Sequence, residues 1–248
     1  GMVDILDGKL KVSEASKATL YLSAATNYIN FNDVSGKPDK LVTKNLASLE
    51  NKRFKAVKEN HISDYQSLFN RFNIDFGDNG KSKNPTNQRI QDFGEHPDDP
   101  QLLALYIQYA RYLMIAASRP NAMSMHLQGK WNNSTNPPWA ADYHSNINLQ
   151  MIYWPAELTN LSECHEPFLD YIESLVRPGK LAAKEFFNTR GWMVNTMCNA
   201  FGYTAPGWGI PWGFFPGGAG WFAQHYWDHY DFTQDEAFLK TEAYPIMK

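Results

Sequence analysis

Residues 99–120 read DPQLLALYIQYARYLMIAASRP. Asp followed by Pro opens a helix well: Asp can cap the first turn, and Pro lacks the N–H that would go unpaired there. Leu103, Tyr106, Ala110, Leu113, Met114 and Ala117 recur at helical spacing and mark one face, which ends near Arg119-Pro120. The character of the chain changes here. Further helices are expected near 147–160, 167–176, 179–188, 220–232 and 235–246, with breaks at Glu166-Pro167 and Arg177-Pro178-Gly179. No segment after residue 99 alternates as a strand, so strand is expected only in the first 35 residues or so. About six helices joined by long connections make a mainly α fold, and long connections of this kind usually carry function.

Upstream, residues 9–32 read as strand, with Leu20, Tyr21 and Leu22 leading to Tyr28–Phe31 and a turn at 33–36. Two strands do not fold alone, so they are expected to close a sheet formed elsewhere. Leu46, Leu49, Phe54, Val57, Tyr65, Leu68 and Phe69 predict a helix over 40–72. A short strand could follow at 72–76. Residues 77–99, rich in Gly, Asn, Lys, Asp and Pro, read as an exposed linker. Three parts result: strands over 1–38, a helical linker over 39–98, and a helical body over 99–248. Gly1 before Met2 reads as a cleavage remnant, and the uncapped Tyr244–Lys248 end reads as a truncation.

The 248 residues are 43% hydrophobic, which excludes disorder and suffices for a sizeable core. A net charge of −3 gives no electrostatic footprint for nucleic acid, and no apolar run is long enough to cross a membrane. Two cysteines exclude a disulfide scaffold. All eight tryptophans lie at or after Trp131, and residues 131–248 carry 6 basic against 12 acidic side chains. Clustered Trp with few cations suits a neutral ligand with apolar faces, such as a sugar, although a large aromatic core has the same composition.

Three stretches carry chemistry. Leu127–Trp139, LQGKWNNSTNPPW, joins indoles to Asn amides, which suits sugar C–H faces and hydroxyls; a rigid Pro-Pro loop pinned by Trp131 and Trp139 is the alternative. In Asp142–Pro155, DYHSNINLQMIYWP, Asn146 and Asn148 lie two apart. If extended, they face one side with His144 and could hold a water, with something more basic taking its proton. From the pattern alone the favoured reading is that both cap the helix expected to begin near Leu149. In Gly213–His229, GFFPGGAGWFAQHYWDH, a glycine cluster opens a helix, and Gln224, His225 or Asp228 could reach a cavity. His225 and His229 have metal-ligand spacing, but Asp228 is misplaced for a zinc-protease motif, and helix packing is the favoured reading. Cys164 sits in too acidic a setting for a nucleophile, and Glu157 is either a buried helix acid or a surface one.

Together these stretches resemble glycoside hydrolase family 95, the inverting α-L-fucosidases, some of which act on α-L-galactosides. The resemblance rests on LQGKWN from Leu127, PPW from Pro137, NINLQM from Asn146 with YWPAE from Tyr153, NLSECHEP from Asn160, and GGAGW from Gly217 followed by HYWDHY from His225. It is strong over 99–248 and weak over 1–98. Ser145 stands where Thr is common, and Ile152 where a second Asn is common. The resemblance implies a β-sandwich, a helical linker and an (α/α)6 barrel, of which 99–248 is about half. It implies that Asn146 and Asn148 hold the attacking water and that His144 contacts the sugar. It places the general acid and the residue that polarises the water in later segments. The candidate catalytic pair is thus Asn146 and Asn148. The candidate substrate-binding residues are His144, Asp142, Trp131, Trp212, Trp221, Gln224 and Asp228. No metal or cofactor is expected, and the expected partner is an oligosaccharide with terminal α-1,2-fucosyl groups. Other readings are a related (α/α)6 glycosidase for another sugar and a non-catalytic carbohydrate-binding module. For the full-length protein an extracellular or periplasmic location is expected.

Overall fold

The computed structural model describes residues 1–207, 209 and 211–248. The chain divides into two compact units, residues 1–29 with 33–63 and residues 30–32 with 64–248. In the first unit, β1 (Met2–Leu6) and β2 (Lys9–Ser13) are antiparallel, with Met2 opposite Ser13 and Leu6 opposite Lys9. Asp7 and Gly8 close the hairpin at φ 51° and 71°, the left-handed pair that a two-residue hairpin turn requires. The strand expected over 9–32 therefore stops at Ser13, and its partner precedes it. Among the described residues no strand element follows over 14–37. Leu20 and Leu22 are 72% and 95% exposed, so the apolar pattern there joins no sheet among the described residues.

The helix expected over 40–72 is two, α1 (Pro38–Ala47) and α2 (Phe54–Phe69). Asn51, at φ 65°, turns the chain between them. Residues 72–76 form no strand. The expected linker at 77–99 contains a helix, α3 (Thr86–Glu95). Tertiary contact explains it: buried Arg89 makes two 2.8 Å hydrogen bonds to the buried Asp99 carboxylate. Asp99 also accepts from Leu102 N–H at 3.0 Å, capping α4 (Pro100–Ala117) as its Asp-Pro start predicts.

The buried face of α4 differs from the predicted one. Leu102, Ala104, Arg111, Met114, Ile115 and Ala117 are buried, whereas Leu103 and Tyr106 are 45% and 73% exposed. Arg111 turns inward because the end of α2 leaves carbonyls without helical partners. Its guanidinium donates to Phe69 O at 2.8 Å, Leu68 O at 3.1 Å and Phe72 O at 3.3 Å, lying about 5 Å from the Phe69 and Phe72 ring centres. Arg111→Met keeps the stem but strands the Phe69 carbonyl, while Leu68 O keeps Arg71 N–H and Phe72 O keeps Gln108 Nε2. The expected loss is about 3 kcal/mol, read by urea unfolding.

Downstream lie β3 (Tyr143–His144), α5 (Asn148–Tyr153), α6 (Pro155–Leu158), α7 (Ser162–Phe187), β4 (Met197–Cys198) and α8 (Gly218–Thr233). Three short turns of helix follow: α9 (Glu236–Phe238), a π-helical turn at Leu239–Ala243, and α10 (Tyr244–Met247). Strand is thus not confined to the first 35 residues: β3 and β4 form a two-residue antiparallel ladder. The breaks expected at Pro167 and at Arg177–Gly179 are also absent, since both prolines lie inside the single helix α7. Its buried face, including Phe168, Ile172, Leu175 and Ala182, keeps the helix whole. Gly179 serves close approach instead: a Cβ there would sit 2.6 Å from Met193 O. The core is aromatic, with Tyr153 stacked on Phe168 at 4.6 Å and Phe168 edge-on to Phe222. No helix among the described residues is long and apolar enough to cross a membrane.

Candidate active site

The chain enters the site through Trp139, Ala140 and Ala141, three consecutive residues with φ between 48° and 56°. This left-handed corner sets the Trp139 ring edge-on to His144 at 5.6 Å. Beneath His144, Asp142 Oδ1 lies 2.5 Å from the imidazole Nδ1. Burial pushes the Asp142 carboxyl up, and the adjacent His144 opposes that.

After β3 the chain does not continue extended. Residues 145–147 form a turn, and α5 begins at Asn148 rather than at Leu149. The turn is held at Ser145, which is fully buried. Its N–H donates to Thr196 O at 2.9 Å, its hydroxyl donates to Asn195 O, and its carbonyl accepts from Gln150 Nε2 at 2.6 Å. The N-cap position of α5 is Ile147, and no side chain caps it. The capping alternative for the two asparagines therefore has no hydrogen bond behind it.

Asn146 and Asn148 line one cavity of about 670 Å³ together with Leu127, Trp139, His144, Thr196 and Trp212. Among the described residues no carboxylate lies in that wall. Asn146 Oδ1 is buried with no hydrogen-bond partner among the described residues. A carbonyl oxygen so placed is poised to accept from a ligand or a water. Of the candidates read from sequence, Asn146, Asn148, His144 and Trp212 share this cavity, with Asp142 behind His144. The others lie elsewhere. Trp131 lines a neighbouring apolar groove of about 510 Å³ with Met151 and Pro155. Gln224 and Asp228 line a separate depression beside Trp227 and Met247. Trp221 packs near Phe215, ring centres 6.3 Å apart.

The sequence reading left a second cluster unassembled. Glu157 on α6 accepts at one oxygen from His165 Nδ1 at 2.8 Å and His229 Nδ1 at 2.6 Å, and at the other from Ser162 Oγ at 2.5 Å. His165 Nε2 lies 2.9 Å from His225 Nδ1. All four side chains are buried. These separations are those of hydrogen bonds, and Glu157, His165 and His229 also bring three potential ligand atoms within 4.8 Å of one another. His225 and His229 are buried in the helix packing, and Glu157 is the buried helix acid. The only signal in the sequence was the i, i+4 pair on α8. Cys164 lies beside this cluster, its thiol pushed up to about 11 by burial, which suits packing rather than nucleophilic attack.

The cluster has a pH consequence. Burial opposes ionisation of Glu157, but hydrogen bonds from His165, His229 and Ser162 overcome it and hold the carboxyl at about 2. Burial, with His165 nearby, lowers His225 to about 3. Unfolded, His225 takes up a proton below about 6.5. Between those values the unfolded chain binds more protons, so stability falls as pH falls. Glu157 acts in the same sense below its ordinary 4.5. From pH 7.5 to pH 5, His225 alone is expected to remove about 2 kcal/mol, lowering Tm by about 4–8 °C. An unchanged Tm over that range would show that the cluster tolerates a proton.

Residues 53–248 match the glycosyl hydrolase family 95 catalytic domain. The chain is 35% identical over 251 residues to the probable alpha-fucosidase A of Aspergillus niger, covering 96% of this chain and 32% of that protein. It is 35% identical over 260 residues to alpha-L-fucosidase 2 of Arabidopsis thaliana, covering 100% and 31%. A probable alpha-fucosidase A of Aspergillus oryzae is 30% identical over 222 residues, covering 82% and 30%. The chain thus spans about a third of the length of these curated relatives.

Proposed function

The chain belongs to glycosyl hydrolase family 95, and on that premise we propose that its 670 Å³ cavity receives a terminal α-L-fucosyl group. The observation that carries the reading is the cavity wall itself. Two carboxamides, an imidazole and two indoles converge there, and Asn146 Oδ1 has no partner among the described residues. Indole faces suit the apolar face of a 6-deoxy sugar, and amides suit its hydroxyls. In this reading Asn146 and Asn148 hold the attacking water and His144 contacts the sugar. The reaction is hydrolysis of α-1,2-fucosyl linkages with inversion, and the helices of the larger unit belong to an (α/α)6 barrel. The outlying candidates Trp131, Trp221, Gln224 and Asp228 serve more distant parts of an oligosaccharide.

Inversion needs a general acid and a separate group that activates water. Among the described residues the cavity wall supplies neither, each being typically worth about 10²–10⁴-fold in rate. These 248 residues alone are therefore expected to bind L-fucose but not to hydrolyse a 2′-fucosylated oligosaccharide. Tryptophan fluorescence during titration with L-fucose, with D-fucose as the mirror-image control, tests binding, and product analysis tests turnover. Equal response to both enantiomers would remove the sugar assignment. Turnover at ordinary glycosidase rates would show that the needed carboxylates are already present.

A further inference from the structure

Asn195 is fully buried between α7 and β4 and is not among the residues lining the cavity, yet it bonds to two of the segments that do and adjoins a third. Its carboxamide Nδ2 donates to Thr204 O at 3.0 Å, and its Oδ1 accepts from Phe215 N–H at 3.1 Å. Trp212, a wall of the cavity, lies between those two anchors in the chain. The main-chain oxygen of Asn195 accepts from Ser145 Oγ, one residue before Asn146. The next residue, Thr196, is itself in the wall and receives Ser145 N–H at 2.9 Å.

One planar carboxamide thus fastens both ends of the Trp212 segment, while the same residue's backbone fastens the Asn146 turn. The amide offers a donor and an acceptor in that plane. An aspartate of the same shape, when ionised, turns an acceptor toward Thr204 O. When protonated it regains a donor.

We propose that Asn195 is a positioning residue that sets the separation between the Asn146 turn and the Trp212 wall, without touching the ligand. The functional part of this inference rests on the cavity being the fucosyl site; the mechanical part does not. Asn195→Asp is compared with the parent protein at matched pH by hydrogen exchange of peptides covering 143–148, 204–216 and the α7 core. At pH 7 the variant is expected to exchange at least tenfold faster over both 143–148 and 204–216, with the α7 core unchanged. At pH 5 the difference should shrink as the aspartate regains its proton. L-fucose affinity should follow the same pattern, at least tenfold weaker at pH 7 and recovering at pH 5. The 143–148 peptide is decisive, because the substituted group makes no bond to it.

Faster exchange confined to 204–216, or spread evenly into α7, overturns the proposal. So does unchanged L-fucose affinity alongside raised exchange. Where the parent itself shows no L-fucose affinity, the fucosyl reading falls, and the exchange pattern still decides whether Asn195 couples the two segments. Asn195→Ser, which does not titrate, is judged by the pH 7 exchange and affinity criteria alone if the aspartate variant does not fold at pH 7.

Discussion

Asn146→Gly or Asn148→Gly in the complete enzyme is expected to lower kcat by about 100-fold or more, the scale of losing one positioned catalytic group. Thermal stability should change little. Neither side chain caps α5, whose N-cap is Ile147 without a side-chain bond. Asn146 Oδ1 is buried without a protein partner among the described residues, so its removal breaks no protein hydrogen bond there. Asn146→Asp makes a sharper comparison. It keeps the shape but adds a charge to a wall that holds none, and it should also lose activity if the neutral amide is what orients the water. Steady-state kinetics beside a melting curve separates the outcomes. Near-normal kcat with a clearly lowered Tm would assign the pair a structural role and withdraw the water-holding reading.

The second large effect concerns stability. Glu157→Gln should cost about 1–3 kcal/mol, the usual penalty for leaving a buried donor unpaired. The carboxylate satisfies two imidazole N–H groups at one oxygen and Ser162 at the other. Glutamine offers a single carbonyl and turns an NH₂ toward the remaining donors. Because the network joins α6, α7 and α8, the loss should appear in global urea unfolding rather than in local fraying. In a double-mutant cycle with His229→Phe the two changes should be strongly non-additive. A loss below about 1 kcal/mol would mean that the imidazoles find other partners and that the cluster contributes little.

Local signals were legible where local physics decides. Asp99-Pro100 predicts the start of α4 because capping involves one side chain and an amide three residues on. The same reasoning failed at Pro167 and Pro178, where local preference predicts breaks. There the packed face of α7 outweighs the lost backbone bonds. It failed again over 77–99, whose polar composition conceals a helix held by the Arg89–Asp99 pair. On α4 the helix was legible but its inward face was not. Arg111 is drawn in by carbonyls of residues 68, 69 and 72, about forty positions away in sequence.

The sequence by itself determined the mainly helical class, the family and the α4 start. Each is carried by residues within a turn or two of one another, or by motifs whose order survives without coordinates. The tertiary structure alone decided that Trp212 and Thr196 join Asn146 and Asn148 in one cavity while Trp131 and Asp228 face other grooves. It alone showed that His229 meets Glu157, 72 residues earlier. A side chain's periodicity reports which way it points from its own helix. What it meets there depends on how helices from distant parts of the chain pack, and no spacing within a single segment encodes that.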